Sequence, residues 1–434
     1  MFRLALRKAR GLGCGGQWNV PTICANLLGQ QAGFISQKSD TPALDRDSWV
    51  NEYNLGKAES RKQVQRCGNV RCRMSHFSSG SHAERVKTPS FPRRMAVQVG
   101  TLLKIDLSGT KAGVKAVVGD NLEEIVIKPS WSDSSDESAQ CEALSISHSQ
   151  DIVSLKKSEP LDQLSKLQEL SVHIPARWCS LDIHTSEGPV YIQNVREGRV
   201  RVITGGGNVK LGEVKGGEAF IETHGGEFEA KVLQAGAKVN TKGGKLHVDK
   251  LQGDIINLDS GGSLVAIGTL YGNDVIVQSA GGALKARHIQ AQQMAHISSD
   301  GGPMMINGFD GNGIFISNGG KIELQLSEHA QEVHIDASDG DVVLSLSSKL
   351  TAQLTYKGAQ GPVQLDSSLS STGVPNVYHY SGSESVAPRL GQDLGWRGSE
   401  NDLRSADKDT IPCKIVVSTL GELLVKQKGW LDLI

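Results

Sequence analysis

Hydrolysis of a glycosidic bond needs two carboxyl groups about 5 to 9 Å apart, and a bound metal needs several His, Cys or acidic ligands converging on one point. For the first chemistry the sequence offers Asp259 and Asp300, two repeats of the chain apart with no other acid joining them. For the second it offers His296 and His334, which share a repeat position with Ile314 between them. Nothing else joins the two acids, and the histidines read as solvated side chains. Gly308-Phe-Asp-Gly-Asn-Gly313 has the glycines of a calcium loop but neither its alternating acids nor its terminal Glu. Gly205-Gly206-Gly207 lacks the Lys-Ser/Thr of a phosphate-binding loop. The seven cysteines (Cys14, Cys24, Cys67, Cys72, Cys141, Cys179 and Cys413) contain no C-x-x-C pair and read as scattered reduced thiols. No catalytic residue, cofactor site or metal site emerges.

One row of hydroxyls is too regular to be scattered. Thr185, Thr204, Thr223, Thr241, Asp259, Ser279, Ser299, Ser317 and Ala337 recur at one repeat position. Stacked hydroxyls can bond along their column and to turn backbone, so the row reads as a structural ladder. A catalytic or ligand-binding row is the alternative.

The element that positions this row is a repeat. Glycines 188, 207, 226, 244, 262, 282, 302, 320 and 340 recur at spacings of 18 to 20 residues, averaging 19. A fixed period of that size means stacked supersecondary units. Two residues after the Gly stand Val190, Val209, Phe228, Leu246, Leu264, Leu284, Met304, Ile322 and Val342. Four after it stand Ile192, Leu211, Ala230, Val248, Ala266, Ala286, Ile306, Leu324 and Leu344, so all eighteen positions are apolar. Five before it the column is apolar except at Asn257, and seven before it except at Gly313. Each unit is therefore two short strands of period two joined at a Gly corner. The predicted fold is all-β, a right-handed parallel β-solenoid of about 19 residues per coil with ten or more coils.

The 434-residue chain divides around this repeat. Residues 1–40 hold Arg3, Arg7 and Arg10 on one helical face, with no acid before Asp40, and read as a transit peptide. Residues 41–95 read as a disordered linker, and 96–180 as a β-rich N-terminal cap with a short helix around Leu161, Leu164 and Leu167. The solenoid spans 181–366, its last coil carrying Val363 and Leu365 after Gly361. Residues 367–410 read as a disordered or looped insertion, and 411–434 as a terminal coil capped by Trp430 and Leu433.

Several segments resemble the putative-adhesin family, auto-transporter adhesin head-like β-solenoids of unknown function. The likeness lies in Leu170-Ser-Val-His-Ile-Pro175, Leu181-Asp-Ile-His-Thr-Ser-Glu-Gly188 and Val333-His-Ile-Asp-Ala-Ser-Asp-Gly-Asp-Val-Val-Leu344. Within the family the chain is most similar to a eukaryotic, organelle-type branch, through Asp120-Asn-Leu-Glu-Glu124, Lys242-Gly-Gly-Lys-Leu246 and Gly268-Thr-Leu-Tyr-Gly-Asn273. The resemblance implies the solenoid fold and no catalytic motif.

Function is bounded by exclusion. A net charge of −1 argues against nucleic acid as a partner, and no apolar run reaches the roughly 18 residues of a membrane-spanning helix. The outward parity before the Gly carries Ile256, Leu258, Ile276, Ile314 and Ile316, a candidate partner surface; the alternative is that the cap or the insertion covers it. The expected function is a non-enzymatic interaction or scaffold protein presenting a solenoid face to a protein partner, in mitochondria or else plastids. The alternative is a carbohydrate-active or other β-helix enzyme.

Overall fold

Alternating apolar residues bury one face of every strand, and the corners decide how strands stack. The computed structural model describes residues 91–121, 123–132, 143–158, 166–358, 362–381 and 412–428. Residues 1–90, where a transit peptide and a linker were expected, and Leu161, Leu164, Trp430 and Leu433 lie outside these. Among the described residues the chain is all-β, a long and mostly parallel sheet of 24 strands. Leu167, expected in a helix, instead opens the strand Leu167–Ile174. Successive units pair in parallel register, as in Val209↔Phe228, Phe228↔Leu246, Leu246↔Val265 and Val265↔Leu284. This agrees with a solenoid whose core is one continuous apolar stack.

The register corrects the sequence reading in one unit. Val265 and Ile267, not Leu264 and Ala266, are the buried pair there, and Ile256 and Leu258 are buried in place of Asn257. The corner residue equivalent to Gly244 and Gly282 is Ser263, one position beyond Gly262. Ser263 Oγ bonds Gly243 O at 2.5 Å, and its own backbone oxygen lies where a Cβ on Gly282 would press. Side chains alternate with period two, so a one-residue misalignment exchanges every inward and outward position of the unit. Asn257, the one exception in its column, is the trace of that slip.

The corners share one geometry. A buried hydroxyl residue is followed by a residue in the left-handed region (His224, Lys242, Ala280, Asp300 and Asn318, φ 47 to 49°) and then by a glycine at φ 97 to 108°. The hydroxyl closes the corner by donating to the backbone oxygen three residues on: Thr204 to Gly207 at 2.7 Å, Ser279 to Gly282, Ser299 to Gly302 and Ser317 to Gly320, each at 2.6 Å. Ser260 fills this role where Asp259 was expected, bonding Ser263 O at 2.6 Å. The row is a structural ladder that satisfies buried turn carbonyls.

A third inward column after the corner joins the two read there from the sequence. Val195, Val214, Leu233, Leu251, Leu270, Ile289 and Phe309 are all buried. Each follows the preceding inward residue by three positions, so the chain bends between them. Phe309 meets Phe315 edge-on at 4.9 Å and 87°. Gly313 is small because a Cβ there would lie 2.6 Å from Phe309 and 2.8 Å from Phe315.

The two ends depart from sequence order. Leu102–Leu107 pairs in parallel with both Ile152–Lys157 and Ser180–Thr185, and Gly113–Val118 with both Leu167–Ile174 and Val190–Arg196. The first strands thus lie between two later ones. Likewise Cys413–Thr419 lies between Ile322–Ser338 and Thr351–Tyr356, and Leu423–Lys428 between Val342–Ser347 and Val363–Leu365. The segment expected as the last coil is therefore seated before residues 351–365. Outside these rungs, strands turn antiparallel: Leu144–Ser149 on Ile152–Lys157 at one end, Val377–Ser381 on Thr351–Tyr356 at the other. Part of the 367–410 segment is thus built into the sheet, where it covers an edge that would otherwise recruit other strands.

Candidate functional site

The bend after the third inward column creates a concavity. On four successive units the residue after the buried one points outward: Gln234, Gln252, Tyr271 and Gln290, paired in that order. Small residues follow at the bend, Ala235, Gly253, Gly272 and Ala291. Gly253 is required by close approach, since a Cβ there would meet Ala235 O at 2.1 Å. The result is a groove of about 840 Å³ running across the rungs. Gln234, Lys250, Gln252 and Tyr271 stand among its lining residues together with Asp254 and Asn273.

Its chemistry is that of neutral amides. Gln234 Nε2 donates to Gln252 Oε1 at 3.4 Å, and Asn273 Nδ2 to Asp254 Oδ1 at 3.3 Å. Lys250 and Asp254 are the only charged residues of the lining. Next in the column after Gln290 comes Asp310. It is 8% exposed, with Oδ2 3.4 Å from His288 Nε2 and a buried Oδ1 that has no hydrogen-bond partner among the described residues. The His288 ring in turn lies 5.9 Å from Tyr271. Sequence reasoning missed this groove. The signal that could have found it is a glutamine recurring one residue past the third apolar column.

The apolar stripe expected as a partner surface does not form. Ile256 and Leu258 are fully buried, and only Ile276, Ile314 and Ile316 face outward, each half-buried. His296 stands between Ile276 and Ile314, and His334 follows Ile314. Phe220, nearer the start, is flanked by cations, Arg201 at 5.7 Å and Lys238 at 5.9 Å from its ring.

The other candidates resolve into structural roles. Asp259 accepts from Gly261 N at 2.9 Å and Asn240 at 3.3 Å; Asp300 accepts from Asn318 at 2.9 Å. Both hold corners. His334 bonds Glu332 at 3.1 Å, which also receives Lys414 at 3.2 Å; these contacts hold the Glu332 carboxyl below its usual range, His334 being the larger cause. Among the described residues no cluster of three metal-ligating side chains occurs. Cys179 and Cys413 are free and buried, and burial pushes both thiols up to about 12, so neither is a poised nucleophile. Among the described residues no helix is long and apolar enough to cross a membrane.

Among the described residues the fold is that of an all-β repeat protein. Residues 235–385 match the family described as Toastrack DUF4097. Two solved structures are also similar to the chain, at low identity. One neighbour is the crystal structure of a putative cell adhesion protein from Clostridium sporogenes, 11% identical, covering 77% of this chain and 98% of that one with a TM-score of 0.14. Another is a putative adhesin from Bacteroides fragilis, 9% identical, covering 77% and 95% with a TM-score of 0.24. No curated protein matches the chain.

Proposed function

We propose that the chain is a non-enzymatic interaction protein, a right-handed solenoid of about 19 residues per coil that receives a protein partner in the groove of Gln234, Gln252, Tyr271 and Gln290. The observation that carries this reading is the groove's lining. Amides donate and accept hydrogen bonds without moving protons, and a tyrosine supplies the aromatic anchor that dominates interface energetics. Tyr271→Ala combined with Gln252→Ala should leave the melting temperature within about 2 °C, since both are surface truncations. Recovery of the partner on tagged full-length protein should fall about tenfold or more. An unchanged partner list with the groove stripped would end the reading.

The β-helix enzyme remains the second reading because of Asp310, a buried carboxylate beside His288. The residues 1–40 belong to the proposal as a mitochondrial, or else plastid, transit peptide. A reporter fused to residues 1–50 should enter mitochondria, and changing Arg3, Arg7 and Arg10 to Glu should leave it in the cytosol. A cytosolic wild-type fusion would refute the address.

A further inference from the structure

The column of Gln252, Tyr271 and Gln290 runs on into a carboxylate whose hydrogen bonds are incomplete. Asp310 follows Gln290 in register, one unit beyond the lining of the groove. It is 8% exposed, and among the described residues its buried Oδ1 has no hydrogen-bond partner. Its Oδ2 lies 3.4 Å from His288 Nε2, longer than a normal hydrogen bond. An acceptor buried without a partner costs the full loss of its hydration, and native folds seldom leave one. An ionised carboxylate accepts and cannot donate, so what is missing beside Asp310 is a donor.

The neighbouring groups do not supply it. His288 is held against the next unit, where a Cβ on Gly308 would lie 2.8 Å from its Nδ1. Ser327, which follows Leu326 on the unit after Asp310, donates its hydroxyl to Phe309 O at 3.0 Å. The strand cannot shift to bring Asp310 elsewhere. Gly311 follows it at φ 99°, and a Cβ there would meet Ala291 O at 1.9 Å. Lys250, the cation of the groove, precedes Thr269 and His288 in its own column. It therefore stands three units from Asp310, roughly 14 Å along the stack, beyond the reach of its side chain.

The surroundings favour a donor that carries positive charge. Hydrogen bonds between an ionised donor and a carboxylate are about twice as strong as neutral ones. Tyr271, whose ring is 5.9 Å from the His288 ring, adds an aromatic face of the kind that attracts ammonium and guanidinium groups. A carboxyl turns about its last bond between broad, shallow minima, so either oxygen can meet an incoming donor. We propose that Asp310 seats a basic side chain, lysine or arginine, of the protein partner received by the groove. This rests on the groove being a partner surface and names the residue type that the partner brings.

Random peptides displayed on phage and selected on the immobilised full-length chain should converge on sequences with a lysine or arginine at one fixed position. A selected peptide remade with a neutral residue there, citrulline for arginine or norleucine for lysine, should bind the wild-type chain about tenfold more weakly. On D310N the basic and neutral peptides should bind within about twofold of each other. The wild-type comparison needs no variant to fold. Selected peptides without a fixed basic residue overturn the proposal, as does a basic preference that D310N retains. If such peptides still depend on Tyr271 and Gln252, the groove stands as a partner surface and only the seat at Asp310 falls. Peptides whose binding survives Tyr271→Ala with Gln252→Ala, or a selection that enriches none, overturn the groove and the seat together.

Discussion

Ile256→Lys should destabilise the chain by on the order of 4 kcal/mol, lowering the melting temperature by roughly 10 °C, while Ile276→Lys changes it by less than about 2 °C. The two residues look alike in sequence, since both are isoleucines in the strand before a glycine corner. Ile256 is fully buried, stacked between Ala237 and Val275 in the inward column. An ammonium there has no partner and no route to water, and the penalty is that of an unpaired buried charge. Ile276 is half-buried on the outward column between Asn257 and His296, where a lysine can extend into solvent. Thermal melts of the two variants side by side measure the register. Equal losses would mean that Ser263 does not replace Gly262 at the corner.

Gly302→Ala should cost about 3 kcal/mol although it adds a single methyl group. A Cβ on Gly302 would sit 2.0 Å from the backbone oxygen of Gly282 and 2.7 Å from its carbonyl carbon. Neither atom is free to move, because Gly282 belongs to the next corner of the ladder. The same approach recurs at Gly244 against Gly226 O (1.9 Å) and at Gly320 against Gly302 O (2.2 Å), so relief at one corner transfers the collision to the next. Gly301→Ala is the control. Its φ is 98°, and its nearest neighbour to a Cβ would be Asn318 O at 4.0 Å, so the cost is the conformational one, about 1 to 2 kcal/mol. Urea unfolding at constant m should separate the two. A smaller loss at position 302 than at 301 would contradict close approach as the reason for the second glycine.

The sequence by itself determined the repeating unit. The apolar pairs from Val190 and Ile192 to Val342 and Leu344, the hydroxyl row and the glycine corners are local and periodic, so they are legible wherever a corner can be recognised. It failed at Ser263, which hides the corner, and at Val214, Leu233 and Leu251, whose step of three breaks the alternation that identifies strands. The groove was lost with that column, because Gln252 and Tyr271 acquire a common face only once the bend is known. The tertiary structure alone decided which rung stacks on which. Val363 and Leu365 carry the same offsets from a glycine as Leu423 and Val425, yet the later pair lies against Val342 and Leu344. Parallel strands of like pattern can pair in any order, and the period of one strand holds no term for its neighbour. That choice falls to the competition among whole rungs for buried contact, to which Thr419, Lys414 and Glu422 contribute bonds that only the assembled slot provides.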